Sequence, residues 1–379
     1  MTESAEATLA LPSVAARLQW QNLPARALQG DTTLAPQWNR LNAVRGDLPF
    51  LSAEALATAL DVFGHGNERL LIARQGDQIA AMLLLAPGGR LRWHTFQPSQ
   101  IPLGAWVARA GLGIDDIAHS LLHGPLGLCL VVSITQVDPL FAPRAADTPA
   151  SHHTDYIDTG WVDVQGPFEQ YWAARGKNLR QNMRKQRNKL GAEGTVTTMR
   201  VWTRPEDMAP ALARYGALES AGWKAAQGTA IGDDNDQGRF YRELFEGAAR
   251  RGEAVIYEYL FDDRSVAMNL CLRRAGVLVV LKTTYDESIK LFSPAFLLRE
   301  EELQTLFAEA SIQRIEYYGR LMDWHTKLTD NKRTLYHLTA YRWPLVKRLA
   351  GLRSKARASV AGEPPKEAAV AHEQPTERT

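Results

Sequence analysis

Three polar side chains suited to proton transfer stand close together near the C-terminal end of the chain. Asp323, His325 and Lys327 lie in the stretch "EYYGRLMDWHTKL". A carboxylate and an imidazole are candidates for a general base, and an ammonium group can stabilise an oxyanion. Structural ion pairs and core histidines are the commoner explanation for the same residue types. The stretch therefore indicates a candidate catalytic segment, with a structural role as the alternative.

A second candidate site lies where an apolar strand, "GVLVVLKTTY", is followed by the helical stretch "LFSPAFLLREEELQTLF". Ser293 is a good N-cap, and Pro294 fits the first helical position, where a missing N–H costs nothing. Plain capping is one interpretation of this helix start. The other is an anion site, because free N–H groups and the helix dipole both favour negative charge there. The N–H groups that would face such an anion belong to Ala295, Phe296 and Leu297.

A strongly basic helix is predicted for residues 177–190, "KNLRQNMRKQRNKL", which has six cations and no acid. An apolar seam at helical spacing would face the protein. It comprises Leu179, Met183, Gln186 and Leu190. Arg180, Arg184 and Arg187 line a different face. That face is either simply solvated or directed at an anion such as phosphate, a charged glycan or nucleic acid.

The stretch "ESAGWKAAQGTAIG" places Trp223 and Lys224 before a loop rich in glycine, glutamine and threonine. The tryptophan is either part of the core or the wall of a groove for an acceptor. No G-x-S-x-G elbow and no P-loop occurs, so neither a serine hydrolase nor nucleotide hydrolysis is supported. A reaction without a protein nucleophile fits better, with the activation residing in a bound thioester.

The composition indicates an ordinary soluble globular protein. The 379 residues carry a net charge of +2, and the sequence has two cysteines, Cys129 and Cys271, both in apolar runs. We expect both thiols to be buried. The sequence has no Cys/His cluster, so it predicts no metal site. We see no signal peptide and no apolar stretch of ~20 residues that would span a membrane. The sequence thus predicts a cytoplasmic protein by default.

An internal repeat organises the chain. The stretches "ERLLIARQGDQIAAMLLLAPGGRLRWHTF" from residue 68 and "EAVIYEYLFDDRSVAMNLCLRRAGVLVVLKTTY" from residue 253 each read as three strands joined by tight turns. Each is preceded by a helical segment, and each is followed by another helical segment and a short apolar run. We therefore predict two α+β halves with the same order of elements.

The second half resembles a known family. Four stretches carry the resemblance: "KNLRQNMRKQRNKL", "GWKAAQGTAI", "KTTYDESIKLFSPAFLL" and, more weakly, "YYGRLMDWHTKL". They are similar to the GNAT-superfamily acetyltransferase-like domain of proteins associated with bacterial cellulose and exopolysaccharide biosynthesis. That domain is related to the Fem-type aminoacyltransferases, which carry two GNAT-like domains in tandem. The resemblance implies an α+β fold of two tandem GNAT-like domains, each a mixed, mainly antiparallel sheet flanked by helices.

The repeat and the resemblance together predict the division of the chain. Residues 1–20 would be an N-terminal extension, residues 21–150 a degenerate GNAT-like domain and residues 151–345 the acyl-CoA-binding one. Residues 346–379 would be a basic segment and a disordered tail. The basic, partly apolar residues 343–357 are either a solvated terminal helix or a weak contact with an anionic membrane surface.

By the resemblance, the donor is acyl-CoA, no metal takes part, and the pantetheine arm pairs with the edge of the strand "VLVVLKTTY". The pyrophosphate would sit on the helix start. The cofactor-binding residues that follow are Thr283, Tyr285, Ser293, Pro294, Ala295, Phe296 and Leu297. Ala295 stands where the family usually has glycine.

The acyltransferase hypothesis gives several of these residues roles in catalysis. Asp286, Asp323 or His325 would take the proton of the acceptor, and Lys282 or Lys327 would stabilise the oxyanion. The acceptor would be held by Arg180, Arg184, Arg187, Trp223 and Lys224.

Three functions follow as hypotheses. The first is a GNAT-type N- or O-acyltransferase whose acceptor is a small molecule, a sugar or an envelope or exopolysaccharide precursor. The second is a Fem-like enzyme that takes an aminoacyl group from charged tRNA, with the basic helix touching RNA phosphates. The third is a non-catalytic GNAT that binds an anionic glycan or a synthase partner, an interpretation that Ala295 favours.

Overall fold

A computed structural model describes residues 18–221, 231–232 and 234–360, with side chains as far as residue 352. The strands are β1 (Gln19–Pro24), β2 (Arg69–Gln75), β3 (Gln78–Pro87), β4 (Arg92–Thr95), β5 (Trp106–Ala108), β6 (Val131–Val137), β7 (Ser151–Asp163), β8 (Thr197–Trp202), β9 (Ala254–Phe261), β10 (Arg264–Arg274), β11 (Val277–Tyr285), β12 (Arg314–Glu316) and β13 (Lys332–Tyr341).

The helices are α1 (Ala27–Gly30), α2 (Leu34–Val44), α3 (Ala53–Phe63), α4 (Ile114–Leu122), α5 (Phe168–Ala173), α6 (Lys177–Ala192), α7 (Pro205–Ser220), α8 (Asp236–Arg250), α9 (Pro294–Glu309), α10 (Asp323–Leu328) and α11 (Pro344–Val360). Most of the predicted N-terminal extension and of the C-terminal tail lies outside the described residues.

The internal repeat is present in the strand pairing. In the first half the order is β1-β2-β3-β4-β6, and in the second half it is β8-β9-β10-β11-β12. In each half the last pair is parallel, β4 with β6 and β11 with β12, and the preceding pairs are antiparallel. Both predicted meanders are therefore confirmed, and so is the fold class, a mixed, mainly antiparallel sheet flanked by helices.

Tight turns join the meander strands because their residues can adopt left-handed backbone. Gly76 between β2 and β3 has a φ of 58°, and Gly276 between β10 and β11 has a φ of 79°. Asp262 and Ala275 also adopt positive φ in these turns. Aspartate tolerates this conformation better than most residues do, while the alanine is unusual there.

The two halves form one continuous sheet. Strand β13, from the end of the chain, pairs antiparallel with β6 of the first half and with β7. The 13-residue strand β7 in turn pairs with β12. This arrangement buries the joint between the halves and fixes the orientation of β12 beside β11.

Helices cover both faces of the sheet. On one face, helices α2, α3, α7 and α8 share a single core that spans both halves. Phe63 of α3 meets Phe240 of α8 there, with ring centroids 5.2 Å apart. On the opposite face, α4 covers the first half, and α6, α9 and α10 cover the second. Strand β11 therefore has one face toward α7 and α8 and the other toward α9.

The basic helix is confirmed as α6. Its buried residues are Leu179, Met183, Gln186 and Leu190, which is the predicted seam. Cys129 and Cys271 are both buried free thiols, as expected.

Candidate functional site

The predicted donor strand, β11, separates from its neighbour after a few residues. Its parallel pairing with β12 runs from Val277↔Arg314 to Val279↔Glu316, although β11 continues to Tyr285. Beyond β12 the chain follows β7 instead, since the Tyr317 N–H donates to the Gly160 carbonyl at 3.2 Å. The two strands thus open into a V at Val280.

A bulge accompanies this opening. Leu270 of β10 faces Lys282, while the next residue, Cys271, faces Val280, so Leu281 is the extra residue on β11. β-Bulges re-aim side chains and are common beside active sites. Here the bulge turns Lys282 toward α7 and α8, while Thr283 contacts α9.

The start of α9 differs from the predicted N-cap. Ser293 has left-handed backbone (φ 54°, ψ 45°) and makes no side-chain capping bond, whereas Pro294 occupies the first helical position as predicted. The N–H groups of Phe296 and Leu297 both donate to the Ser293 carbonyl, at 3.0 and 3.1 Å. The predicted side-chain capping by Ser293 is therefore wrong. The cause is the 3₁₀ turn Glu287–Phe292, which leads directly into the helix. Two of the three N–H groups predicted to face an anion are used within the helix start, so the anion site stays a prediction that rests on the Ala295 N–H and on neighbouring side chains.

Cationic and amide side chains nevertheless surround this helix start. Asn182 of α6 donates to the Ser293 hydroxyl at 3.2 Å. The Lys189 ammonium lies 4.2 Å from the ring centroid of Phe292, and the Lys327 ammonium lies 5.2 Å from that of Phe296. The two lysines come from α6 and α10 and bring positive charge to both sides of the first turn of α9.

Behind this turn, a buried arginine links the strand, the helix and the closing segment. Arg299 donates to the Thr283 hydroxyl at 2.9 Å and to the Ala295 carbonyl at 3.1 Å. Its guanidinium lies 3.9 Å from the ring centroid of Trp324. Arg299 thereby connects predicted donor residues on β11 and α9 with α10.

The predicted proton-transfer residues of α10 have different environments. Asp323 is exposed at the first position of the helix. His325 is buried, stacks on Trp324, and its Nδ1 accepts the Met322 N–H at 2.9 Å. A neutral ring that accepts at Nδ1 carries its proton on Nε2, so His325 is arranged as a structural histidine rather than as a base.

Asp286 stabilises the turn after β11. It accepts hydrogen bonds from the N–H and the hydroxyl of Ser288, at 2.9 and 2.6 Å, and pairs with Arg264. Partial burial opposes its charge, but these partners outweigh that effect and hold the pKa of Asp286 below its usual range. A carboxylate with a lowered pKa is a weak proton acceptor. The general-base role is therefore a poor fit for Asp286.

Lys282 lies on the opposite face of β11 and is paired. Its ammonium is 3.0 Å from a carboxylate oxygen of Glu219, and the two side chains are 10% and 1% exposed. The rings of Tyr215 and Tyr241 lie 5.9 and 5.4 Å from the same ammonium. The predicted oxyanion-stabilising lysine is thus part of a buried cluster on the α7 and α8 side.

The three arginines of the basic face of α6 have different environments. Arg187 pairs with Glu300 and Glu301 of α9, both at 2.8 Å, so its counter-anions belong to the chain itself. Arg180 donates to the Arg175 carbonyl. Arg184 is exposed to solvent. Trp223 and Lys224 lie outside the described residues.

A second buried acid belongs to α9 and faces β10. Glu302 accepts hydrogen bonds from Asn269 at 2.5 Å and from the thiol of Cys271. Burial raises the pKa of Glu302 from the ordinary 4.5 to about 7, although the nearby Arg299 acts in the opposite direction. The folded state therefore favours the protonated form of this carboxyl group.

This gives a prediction for the pH dependence of stability. Since the folded-state pKa lies above the unfolded one, the stabilisation from protonated Glu302 is complete below about pH 4.5 and is lost as the pH rises through about 7. Glu302→Gln stays neutral, so its stability relative to wild type should increase from pH 5 to pH 8. Denaturant unfolding at both pH values measures this, and an unchanged difference would contradict it.

Sequence reasoning missed Arg299, Glu219 and Asn182. Arg299 had a recognisable signal, because it directly follows the apolar run "FLL" within the helical pattern. Nothing local marks Glu219 or Asn182, whose partners Lys282 and Ser293 lie 63 and 111 positions away. No group of three or more potential metal-ligating side chains occurs among the described residues.

Residues 177–343 match the family model of the acetyltransferase (GNAT) domain. The C-terminal domain of a protein described as a lysylphosphatidylglycerol synthetase from Agrobacterium fabrum superposes with a TM-score of 0.52 at 13% identity, covering 80% of this chain and 92% of that one. FemX aligns with a TM-score of 0.48 at 8% identity, covering 74% and 89%. A tandem GNAT protein from the clavulanic acid pathway gives 0.44 at 15% identity, covering 86% and 98%. No curated protein matches the sequence.

Proposed function

We propose that this protein is a GNAT-type acyltransferase that transfers an acyl group from acyl-CoA to an amine or hydroxyl. The observation that carries the proposal is the opening between β11 and β12 after Val279, next to the bulge at Leu281. An extended pantetheine arm can add to a strand edge by main-chain hydrogen bonds. The match of residues 177–343 to the GNAT family supports this donor.

The start of α9 fits a diphosphate in its chemistry. The helix dipole, the Ala295 N–H and the ammonium groups of Lys189 and Lys327 all favour negative charge at this place. Asn182 adds an amide donor beside Ser293. These residues would hold the pyrophosphate, and the cofactor would supply the thioester carbonyl.

The residues around the opening have distinct tasks in this proposal. Arg299 holds Thr283 and the first turn of α9 in one arrangement through its hydrogen bonds. Its guanidinium also packs against the ring of Trp324. Lys282, on the other face of β11, presents an ammonium group toward the side from which the acceptor would approach. The acceptor would be a sugar or an envelope or exopolysaccharide precursor.

Calorimetric titration with acetyl-CoA and with longer acyl-CoAs tests the donor. We expect binding by wild type and weaker binding by the double variant Lys189→Ala/Lys327→Ala, because both lysines flank the proposed diphosphate position. Lys347→Ala is the matched control, because Lys347 lies on α11 and donates its hydrogen bond to the Thr148 carbonyl, 199 positions earlier in the chain. A folded wild type that binds no acyl-CoA would contradict the proposal.

The solvent face of α6 favours a second candidate function, aminoacyl transfer from charged tRNA. Arg184 and Lys185 are exposed there, as is Lys177 at the start of the helix. RNA binding through such cations should weaken steeply as the salt concentration rises. Electrophoretic shifts with aminoacylated tRNA at two salt concentrations distinguish this candidate. A non-catalytic GNAT would instead bind a ligand without turnover.

The membrane-surface contact of residues 343–357 also stays a proposal. Helix α11 carries Leu345, Leu349 and Leu352 along one exposed face, preceded by the exposed Trp343. Together with neighbouring cations, such a face suits an anionic bilayer surface. Sedimentation of the full chain with anionic and neutral vesicles tests it. None of the described helices is both long and apolar enough to cross a bilayer.

A further inference from the structure

A buried cluster of polar side chains occupies the α7 and α8 face of β11, opposite the predicted donor residues. Glu219, near the end of α7, pairs with Lys282, which is the residue that follows the bulge. The second half of β11 beyond Val279 is the stretch from which β12 departs. The carboxylate of Glu219 is therefore held next to the opening that the proposed donor would enter.

The position of Glu219 is fixed from two sides. The Ile231 N–H donates to one of its carboxylate oxygens at 3.0 Å, in addition to the Lys282 ammonium. Gly216 of α7 allows the segment at Ile231 to approach closely, because a Cβ there would lie 2.3 Å from the Ile231 carbonyl oxygen. This close packing orients the carboxylate instead of leaving it to rotate.

The same cluster contains a donor without a partner. The hydroxyl of Tyr215 is buried and has no hydrogen-bond partner among the described residues. Its pKa is raised well above the usual value, first by burial and then by the nearby Glu219. Leaving a buried hydroxyl without a hydrogen bond destabilises the folded state. A polar group of a bound acceptor would complete the hydrogen bonding of this hydroxyl.

We propose that Glu219 is the proton acceptor of the reaction and that Tyr215 binds the acceptor group beside it. This rests on the proposed acyl transfer. The acceptor nitrogen or oxygen forms a bond to the acyl carbon while the carbon–sulfur bond breaks. The proton of the acceptor passes to the Glu219 carboxylate and from there to the leaving thiolate sulfur, so no proton is gained or lost. Lys282 holds the carboxylate in place.

The purely structural alternative is a buried ion pair that only joins α7 to β11. Such pairs destabilise a fold when one partner is removed. The chain offers a matched control in Glu258 of β9, which is also 1% exposed and paired with Arg214 of α7, at 2.8 Å. Glu258 lies on β9, two strands from the opening. The variant Glu258→Gln therefore shows the effect of losing a buried ion pair alone.

The test compares Glu219→Gln, Glu258→Gln and wild type. Binding of acetyl-CoA is measured by calorimetry, stability by denaturant unfolding, and turnover by thiol release with glucosamine and ethanolamine as probe acceptors. We expect Glu219→Gln to bind acetyl-CoA as wild type does but to release thiol at least about 100-fold more slowly, the usual contribution of a general base. Glu258→Gln should keep wild-type turnover.

Chemical rescue separates a catalytic role from a structural one. Formate added to Glu219→Ala should restore part of the turnover, because a small carboxylate can take over proton transfer but cannot rebuild packing. If Glu219→Gln binds acetyl-CoA and turns over as fast as wild type, or if wild type binds it and acylates neither probe, the assignment of Glu219 is overturned while donor binding stands. If wild type binds no acyl-CoA, the proposed function itself fails.

Discussion

Replacing Arg333 by leucine should lower the free energy of unfolding by about 3–5 kcal/mol, the usual effect of removing one partner of a buried ion pair. Arg333 of β13 donates to both carboxylate oxygens of Asp138, at 2.8 and 2.7 Å, and to Glu316 at 2.9 Å. Asp138 is fully buried at the end of β6. The substitution removes the directly paired counter-ion of Asp138 at the junction of the two halves.

Denaturant unfolding measures this effect, with Arg204→Leu as the control. Arg204 forms an exposed pair with Asp207, so its loss should have no measurable effect. The double variant Arg333→Leu/Asp138→Asn should recover part of the lost stability, because the uncompensated charge is then removed as well. A loss below about 1 kcal/mol in Arg333→Leu would show that solvent screens the junction.

The second large effect is expected from Ala295→Glu. Ala295 lies in the first turn of α9, and its carbonyl is bound by Arg299. A carboxylate at this position would repel the diphosphate that we propose to bind there, and affinity for acetyl-CoA should fall roughly 100-fold, which corresponds to about 2.8 kcal/mol. The fold should be retained, because acids are favourable in the first turn of a helix.

Ala295→Gln is the matched control for that substitution, because it adds the same bulk without charge. Calorimetry with acetyl-CoA should show a smaller loss of affinity for glutamine than for glutamate. Equal losses would mean that size alone blocks the site. Unchanged affinity in both variants would place the diphosphate away from α9.

Local sequence patterns were enough to predict those elements whose structure depends mainly on neighbouring residues. The seam of α6 and the two three-stranded meanders follow from side-chain periodicity and turn residues. The conformation at the start of α9 could not be predicted from local patterns, because the left-handed backbone of Ser293 results from the 3₁₀ turn that precedes the helix. A good capping residue type was present in a conformation that prevents capping.

Contacts between distant residues could not be predicted. Arg187 was predicted to face an external anion. Its guanidinium instead pairs with the carboxylates of Glu300 and Glu301, more than 110 positions away in the same chain. Likewise β13 joins β6, which lies about 200 positions earlier. A single sequence contains the charges but not the packing that brings them together. The pairing of Glu219 with Lys282 was missed for the same reason.

The most direct test of donor binding at β11 and α9 is amide hydrogen exchange with and without acetyl-CoA. Strand addition protects main-chain N–H groups, so peptides covering residues 277–298 should exchange more slowly with ligand. The equivalent meander of the first half, residues 69–95, should be unaffected. Protection confined to 277–298 would support the proposal. Bound acetyl-CoA that protects another region, or leaves 277–298 unchanged, would contradict it.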